Sequence, residues 1–120
     1  MAGQFDVHIM TLPVVLTGAT EIPLVQVPAS GGGITVLSAT LFNAGTSVGG
    51  LLVTMSNAGT PALSGTIGSF AGTVLPTPTI PANLTISDSW VAGGEWIGFD
   101  QTSGTVPVGS HIAVTYVMGK

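Results

Sequence analysis

Charged side chains are almost absent from this chain of 120 residues, which has one lysine, no arginine and five acidic residues. They make up 5% of the sequence, whereas an ordinary soluble domain has roughly 25%. Apolar residues make up 45% and the mean hydropathy is +0.67, so the sequence is too hydrophobic for a disordered chain. It is also too poor in charge to cover the outside of an ordinary solvent-facing monomer. The length is that of one domain with one core.

The same composition excludes several functions. A net charge of −4 with a single cation leaves no basic surface for phosphates, so nucleic-acid binding is excluded. Without cysteine the chain has no disulfide, thiolate zinc site or catalytic thiol. Gly, Pro, Ser, Thr or Asn interrupts every apolar stretch, so we expect no membrane-spanning helix. The N-terminus has no basic region and carries Asp6 and His8, unlike a secretory signal. We expect no membrane partner and no cofactor.

Hydrophobic alternation with a period of two indicates strands, and no segment has the periodicity of an amphipathic helix. In segment 34–42 this alternation places Leu37, Ala39 and Leu41 on one face. Turn clusters rich in glycine separate the strands. Short strands without crossover helices predict an all-β fold, an antiparallel β-sandwich of jelly-roll type with about eight strands and no substantial helix.

Two segments depart from this regular pattern. Residues 1–12 are predicted to form an N-terminal arm or an edge strand, and residues 13–120 a single sandwich domain. Within that domain, residues 57–82 contain four prolines and many small polar residues. Because proline cannot donate to a strand ladder, this composition predicts a long loop with a short edge strand near 65–75.

The segment GTSVG (45–49) matches the G-x-S-x-G motif of α/β-hydrolases around Ser47. That motif works at a turn from a strand to a helix, with a histidine and an acid brought alongside by the fold. Here strands are predicted on both sides of Ser47 and no helix follows, so we interpret the segment as a turn. No other acid, base and nucleophile combine into a catalytic set, and we expect no enzyme activity.

The two histidines, His8 and His111, lie near the two ends of the chain and become neighbours if the terminal strands pair. Two imidazoles with a carboxylate could bind a metal ion. Neither histidine is followed by a second ligand two or four residues later, so we expect no metal site.

Three carboxylates cluster in the sequence around two tryptophans: Asp88, Glu95, Asp100, Trp90 and Trp96. Such a group suits sugar binding, with Trp90, Trp96 and Tyr116 as stacking candidates. Ordinary turns also explain it, since the tryptophans flank a predicted hairpin and Asp100 opens a predicted turn. We favour the structural interpretation and keep a carbohydrate-binding module as an alternative. A carbohydrate-binding site requires the aromatic rings to lie exposed on one face, whereas alternation predicts that Tyr116 points inward.

A sandwich of this size exposes about half of the residues of each strand. In this chain the exposed residues are expected to be Thr, Ser, Gly, Ala and aliphatic residues. Exposed apolar patches usually mark interfaces, and edge strands are normally protected by charges that this chain lacks. We therefore expect the chain to be buried against copies of itself and a larger partner. The N-terminal segment and the Pro-rich stretch supply the interface candidates, which are Phe5, Val7, Ile9, Met10, Pro76, Pro78, Ile80 and Pro81.

Several segments resemble the small, cysteine-free, Gly/Thr-rich β-sandwich structural proteins of tailed bacteriophages, above all their head decoration (cement) proteins. They are VPASGGGITVLSATLFNAG (27–45), NAGTPALSGTI (57–67), WVAGGEWIGFD (90–100) and IAVTYV (112–117). The resemblance implies a virion protein, made in the host cytoplasm, that sits on the capsid surface as a homo-oligomer, expected to be a trimer. It also implies contact with the major capsid protein and a stabilised shell. Another virion component, such as a tail, neck, fibre or baseplate domain, is the alternative.

Overall fold

The computed structural model describes residues 6–14, 21–42, 49–56, 63–70, 82–103 and 109–119. Within these ranges the chain forms nine strands and one short 3₁₀ turn, Ala29–Gly31. The strands are β1 (His8–Pro13), β2 (Glu21–Gln26), β3 (Ile34–Phe42), β4 (Gly49–Met55), β5 (Leu63–Phe70), β6 (Ala82–Ile86), β7 (Trp90–Val91), β8 (Trp96–Ser103) and β9 (His111–Met118). No helix of the described ranges has the length and apolarity needed to span a bilayer.

The strands pair antiparallel in the order β1-β9-β3-β6-β5-β4-β8-β2, with the short β7 beside the start of β3. The strands β1, β9, β3 and β6 form a first sheet, and β5, β4, β8 and β2 form a second. Strand β6 joins the two, because it pairs with both β3 and β5. The order is nearly that of a closed barrel, open between β1 and β2. This is the two-sheet arrangement of a jelly roll, so the predicted fold class is confirmed, with β7 as an additional short strand.

The core lies between the two sheets, and the strand register determines which side chains enter it. On the first sheet, Leu41 of β3 faces Ile112 of β9. On the second, Leu52 of β4 faces Phe99 of β8. All four side chains are buried, and burial of apolar area at roughly 25 cal/mol per Å² is the main force that holds the sheets together.

A bulge in β3 changes which residues of that strand face the core. Between Val36 and Ser38 the register against β9 shifts by one residue, so that Leu37 is an extra residue in the strand. The prediction that Leu37 faces the same way as Ala39 is wrong, because Val36 and Ala39 are buried and Leu37 is exposed. One inserted residue exchanges the two faces of a strand, and periodicity alone cannot locate it.

Strand β5 occupies part of segment 57–82, which the sequence predicts to be a long loop with an edge strand. The predicted strand is present, over residues 63–70, but its predicted edge position is wrong, because β5 pairs with β4 on one side and β6 on the other. Its glycines suggest a loop, but a Cβ on Gly68 would lie 2.9 Å from the Leu84 side chain. The missing side chain therefore lets β6 approach closely. Residues 71–81, including the prolines of this stretch, lie outside the described residues.

Residues 8–13 belong to the sheet as the edge strand β1, which pairs with β9 along its whole length. Leu12 is buried in the core, and Met10 packs against it. Deletion of residues 1–12 would therefore remove most of a strand together with any contact that the N-terminus makes. Point substitutions on the exposed side of β1 test its contacts more cleanly.

Candidate interaction face

Among the described residues, the outward sides of β1, β9 and β3 have no acidic or basic side chain, apart from one imidazole. Outward residues alternate with the core residues of β1, β9 and β3, and the register aligns them in rows across the three strands. For example, Thr11 faces Ala113, which in turn faces Thr40. We call this side the outer face; its residues are Val7, Ile9, Thr11, Pro13, Thr35, Leu37, Ser38, Thr40, Phe42, His111, Ala113, Thr115 and Val117.

The outer face exposes several large hydrophobic side chains. Ile9 is 71% exposed, Val7 58%, Leu37 45% and Phe42 39%. They are four of the seven exposed large hydrophobic residues in the described part of the chain. Between them lie hydroxyl groups, such as that of Thr40, which donates a hydrogen bond to Asn83 Oδ1 at 3.1 Å. Monomeric proteins seldom expose apolar side chains grouped in this way, so the outer face is the candidate interaction surface.

The outward side of the second sheet differs in charge and in exposure. Glu21 of β2 and Asp100 of β8 face each other directly, one strand away from Leu51. Val53 and Met55 alternate with the inward residues of β4 and are nevertheless fully buried within the chain. Part of this side is therefore already covered, and another part carries carboxylates.

Burial and the neighbouring Glu21 carboxylate raise the pKa of Asp100 above its ordinary value of 3.8. The prediction that Asp100 opens a turn is wrong, since it lies inside β8. A raised pKa in the folded state means that this carboxyl group contributes stability at low pH, which is lost as the pH rises through the raised value. We expect Asp100→Asn to increase the free energy of unfolding at pH 7, by less than about 1 kcal/mol because the group is only partly buried.

This gain should disappear below about pH 4, where the wild-type carboxyl group is also neutral. Urea unfolding of both proteins between pH 3 and pH 8 measures the effect. A variant that is no more stable than the wild type at pH 7 would contradict it.

The fold separates the two tryptophans that are close in sequence. Trp90 of β7 pairs with Thr35 of the first sheet, and Trp96 of β8 pairs with Met55 of the second. The predicted hairpin is wrong, because residues 92–95 carry the chain from one sheet to the other. Both tryptophans are half-buried and lie on the outward sides of opposite sheets.

The third aromatic candidate, Tyr116, faces inward as the alternation predicts, packs against the core, and stacks on His8 with 5.3 Å between ring centroids. The three rings thus lie on three different surfaces and form no common platform for a sugar. Asp88 has a structural role beside them, since its Oδ1 accepts a hydrogen bond from the Trp90 backbone N–H at 3.2 Å. This geometry gives the carbohydrate-binding alternative no support.

The terminal strands β1 and β9 do pair, but they hold the two histidines far apart. His8 faces Tyr116, whereas His111 faces Pro13 at the other end of the ladder. Five residues of β9 separate these positions, or about 17 Å. Within the described ranges, no group of three or more metal-ligating side chains occurs. His111 instead stacks on Phe42 on the outer face, with 4.9 Å between ring centroids.

A chain of hydrogen bonds links one carboxylate to two hydroxyl groups. Ser64 Oγ donates to Glu95 Oε2 at 2.6 Å, and Thr54 Oγ1 lies 3.1 Å from Ser64 Oγ. No imidazole takes part in this contact, in which the Glu95 carboxylate is the acceptor. The hydrogen bonds join β4, β5 and the turn before β8.

A half-open cavity of about 280 Å³ lies at the opening between β1 and β2. The described residues of its lining, among them Met10, Val27 and Tyr116, are mainly apolar and include no charged group. The cavity adds apolar surface at this edge of the sandwich.

The structure places some of the sequence-predicted interface residues and leaves others outside its described ranges. Val7 and Ile9 lie on the outer face, whereas Met10 points inward. Leu37 and Phe42 also lie on the outer face and were missed by the sequence analysis. Periodicity could not place Leu37 on this face because of the bulge in β3. Phe42 could have been predicted, since it lies two residues after Thr40 and therefore on the same face. Outside the described residues are Phe5, Ser47, Pro76, Pro78, Ile80 and Pro81.

Comparison of the chain with protein-family models, curated proteins and solved structures finds no match. The function is therefore inferred from the sequence, the fold and the outer face.

Proposed function

We propose that this chain is a structural protein of a bacteriophage particle, a decoration protein that binds the capsid surface as a homo-oligomer and stabilises the shell. The observation that carries the proposal is the outer face, which has no carboxylate and exposes large apolar side chains, as expected of a surface that is buried in an assembly of many copies. The jelly roll supports it, because this architecture is common in viral capsid proteins. The resemblance of segments such as 27–45 to decoration proteins is the reason for proposing a phage head as the particle and the major capsid protein as the partner.

The proposed mechanism is mechanical. Each apolar contact between the chain and the shell contributes roughly 25 cal/mol per Å² of buried area. An oligomer that engages several capsid subunits gains avidity without a strong individual contact. Its binding energy then opposes the separation of those subunits under the pressure of packaged DNA. This mechanism needs no catalytic residue, cofactor or metal ion.

A different virion position, in the tail, neck, fibre or baseplate, uses the same kind of surface and is the second candidate. Cryo-electron microscopy of particles from the phage that encodes the chain separates the two. We expect many symmetric copies on the outside of the head. Density on the tail alone would favour the second candidate, and absence of the chain from purified particles would contradict both.

The stabilising role has its own measurement. We expect heads that lack the chain to release their DNA at a lower temperature than complete heads, and added purified chain to restore the higher temperature. Release detected with a DNA-binding dye during heating gives both values. Equal release temperatures with and without the chain would contradict a role in stabilising the shell.

A further inference from the structure

We propose that the outer face is a self-association surface, through which two copies of this chain pack face to face. The proposal deepens the oligomeric part of the proposed function by naming the surface. It does not require the chain to belong to a virion.

The distribution of charge favours a second copy as the occupant. Two identical acidic chains repel each other wherever their carboxylates meet. Contact through the second sheet would bring Glu21 and Asp100 of one copy towards those of the other. Contact through the outer face brings together hydroxyl, aliphatic and aromatic groups with one imidazole from each copy. None of its own residues is a carboxylate, so the repulsion between carboxylates is weaker there.

The size of the outer face also suits a dimer. The outer face spans the three strands β1, β9 and β3 and is as long as the nine residues of β3. With about 4.8 Å between strands and 3.3 Å per residue, it measures roughly 14 by 30 Å, or about 430 Å² in projection. Its accessible area is larger because the side chains protrude, and a standard interface buries about 800 Å² per partner. Sheets that pack in this way lie about 10 Å apart.

Contact between identical faces determines the number of copies. Such a contact is symmetric about a two-fold axis and closes at two chains. The proposal therefore replaces the trimer implied by the resemblance with a dimer, or with a larger assembly built from dimers. The second sheets, with Glu21 and Asp100, point away from the contact on both sides, so the shell would be contacted through surfaces other than the outer face.

Two leucines provide a matched test, because Leu37 on the outer face and Leu63 on the second sheet are both 45% exposed. Leu37→Glu would bring the carboxylates of two copies together in a contact that excludes water, whereas Leu63→Glu would leave its carboxylate in solvent. Sedimentation equilibrium of the full-length chain should give twice the chain mass of 11.9 kDa for the wild type. We expect Leu37→Glu to raise the dimer dissociation constant at least about tenfold, and Leu63→Glu less than about threefold.

Ile9→Glu is a second outer-face variant on a different strand, and it should behave like Leu37→Glu. Far-ultraviolet circular dichroism shows whether each variant keeps the fold. If Leu37→Glu does not fold, the dissociation constant of Ile9→Glu provides the test. A wild-type monomer or trimer would overturn the proposal, as would a dimer that Leu63→Glu weakens as much as the outer-face variants do. A monomeric chain found on capsids would overturn this contact alone, whereas a dimer absent from particles would overturn only the virion role.

Discussion

Phe99→Ala should cost about 3–5 kcal/mol of unfolding free energy, a large part of the roughly 5–15 kcal/mol that stabilises a typical domain. Phe99 is fully buried in the middle of β8, where it faces the buried residues Ile22 and Leu52 on the two neighbouring strands. Its ring lies 6.2 Å from that of Phe70 and fills the space that a side chain on Gly50 would occupy. Alanine would leave a cavity that three strands of the second sheet cannot close without moving.

Phe42→Ala is the matched control, because it removes the same atoms from a position that is 39% exposed on the outer face. Less transfer energy is lost there than in the core, and no enclosed cavity forms, so we expect a loss below about 1.5 kcal/mol. Urea unfolding followed by tryptophan fluorescence measures both variants, at protein concentrations too low for self-association. Similar losses for Phe99→Ala and Phe42→Ala would contradict the position of the core between the two sheets.

Local pattern was enough to predict the fold class but not the details of strand pairing. Alternation over 111–118 and the turn clusters predicted antiparallel strands correctly, because both signals depend on residues close in sequence. The extra residue Leu37 and the interior position of β5 depend on partners distant in sequence. Gly68 illustrates the difficulty, since the same glycine indicates a loop when read alone and a close approach of β6 when the sheet is known.

The candidate site shows the same division. The scarcity of charge predicted an outside made of apolar and hydroxyl groups. Composition gives no positions, however, so it could not show which sheet has the uncharged outward side. Only the register shows that Ile9 and Leu37 share the outer face while Glu21 and Asp100 share the opposite one. Trp90 and Trp96, a few residues apart in sequence, likewise lie on opposite sheets because the chain crosses between them.

Gly33→Ala should be comparably destabilising, at about 2–5 kcal/mol, although it adds a single methyl group. The backbone of Gly33 has φ +91°, which side-chain-bearing residues rarely adopt and which costs an L-residue about 1–2 kcal/mol. An added Cβ would also overlap the Trp90 ring and lie 2.5 Å from the Val91 carbonyl oxygen. That oxygen is backbone of β7, which pairs with β3, so relief of the overlap requires a strand to move, at a further cost of about 1–3 kcal/mol.

Gly32→Ala separates the two contributions, because Gly32 also has a positive φ, +74°, but has nothing within 4 Å of its Cβ position. This variant should show the conformational cost alone, about 1–2 kcal/mol. The difference between the two alanine variants in urea unfolding then measures the overlap at Gly33. Because that overlap involves Trp90, Gly33→Ala should also shift the tryptophan emission of the folded protein, and Gly32→Ala should not. Equal losses and unchanged emission would mean that Trp90 does not pack over Gly33, and the attachment of β7 to the first sheet would then be wrong.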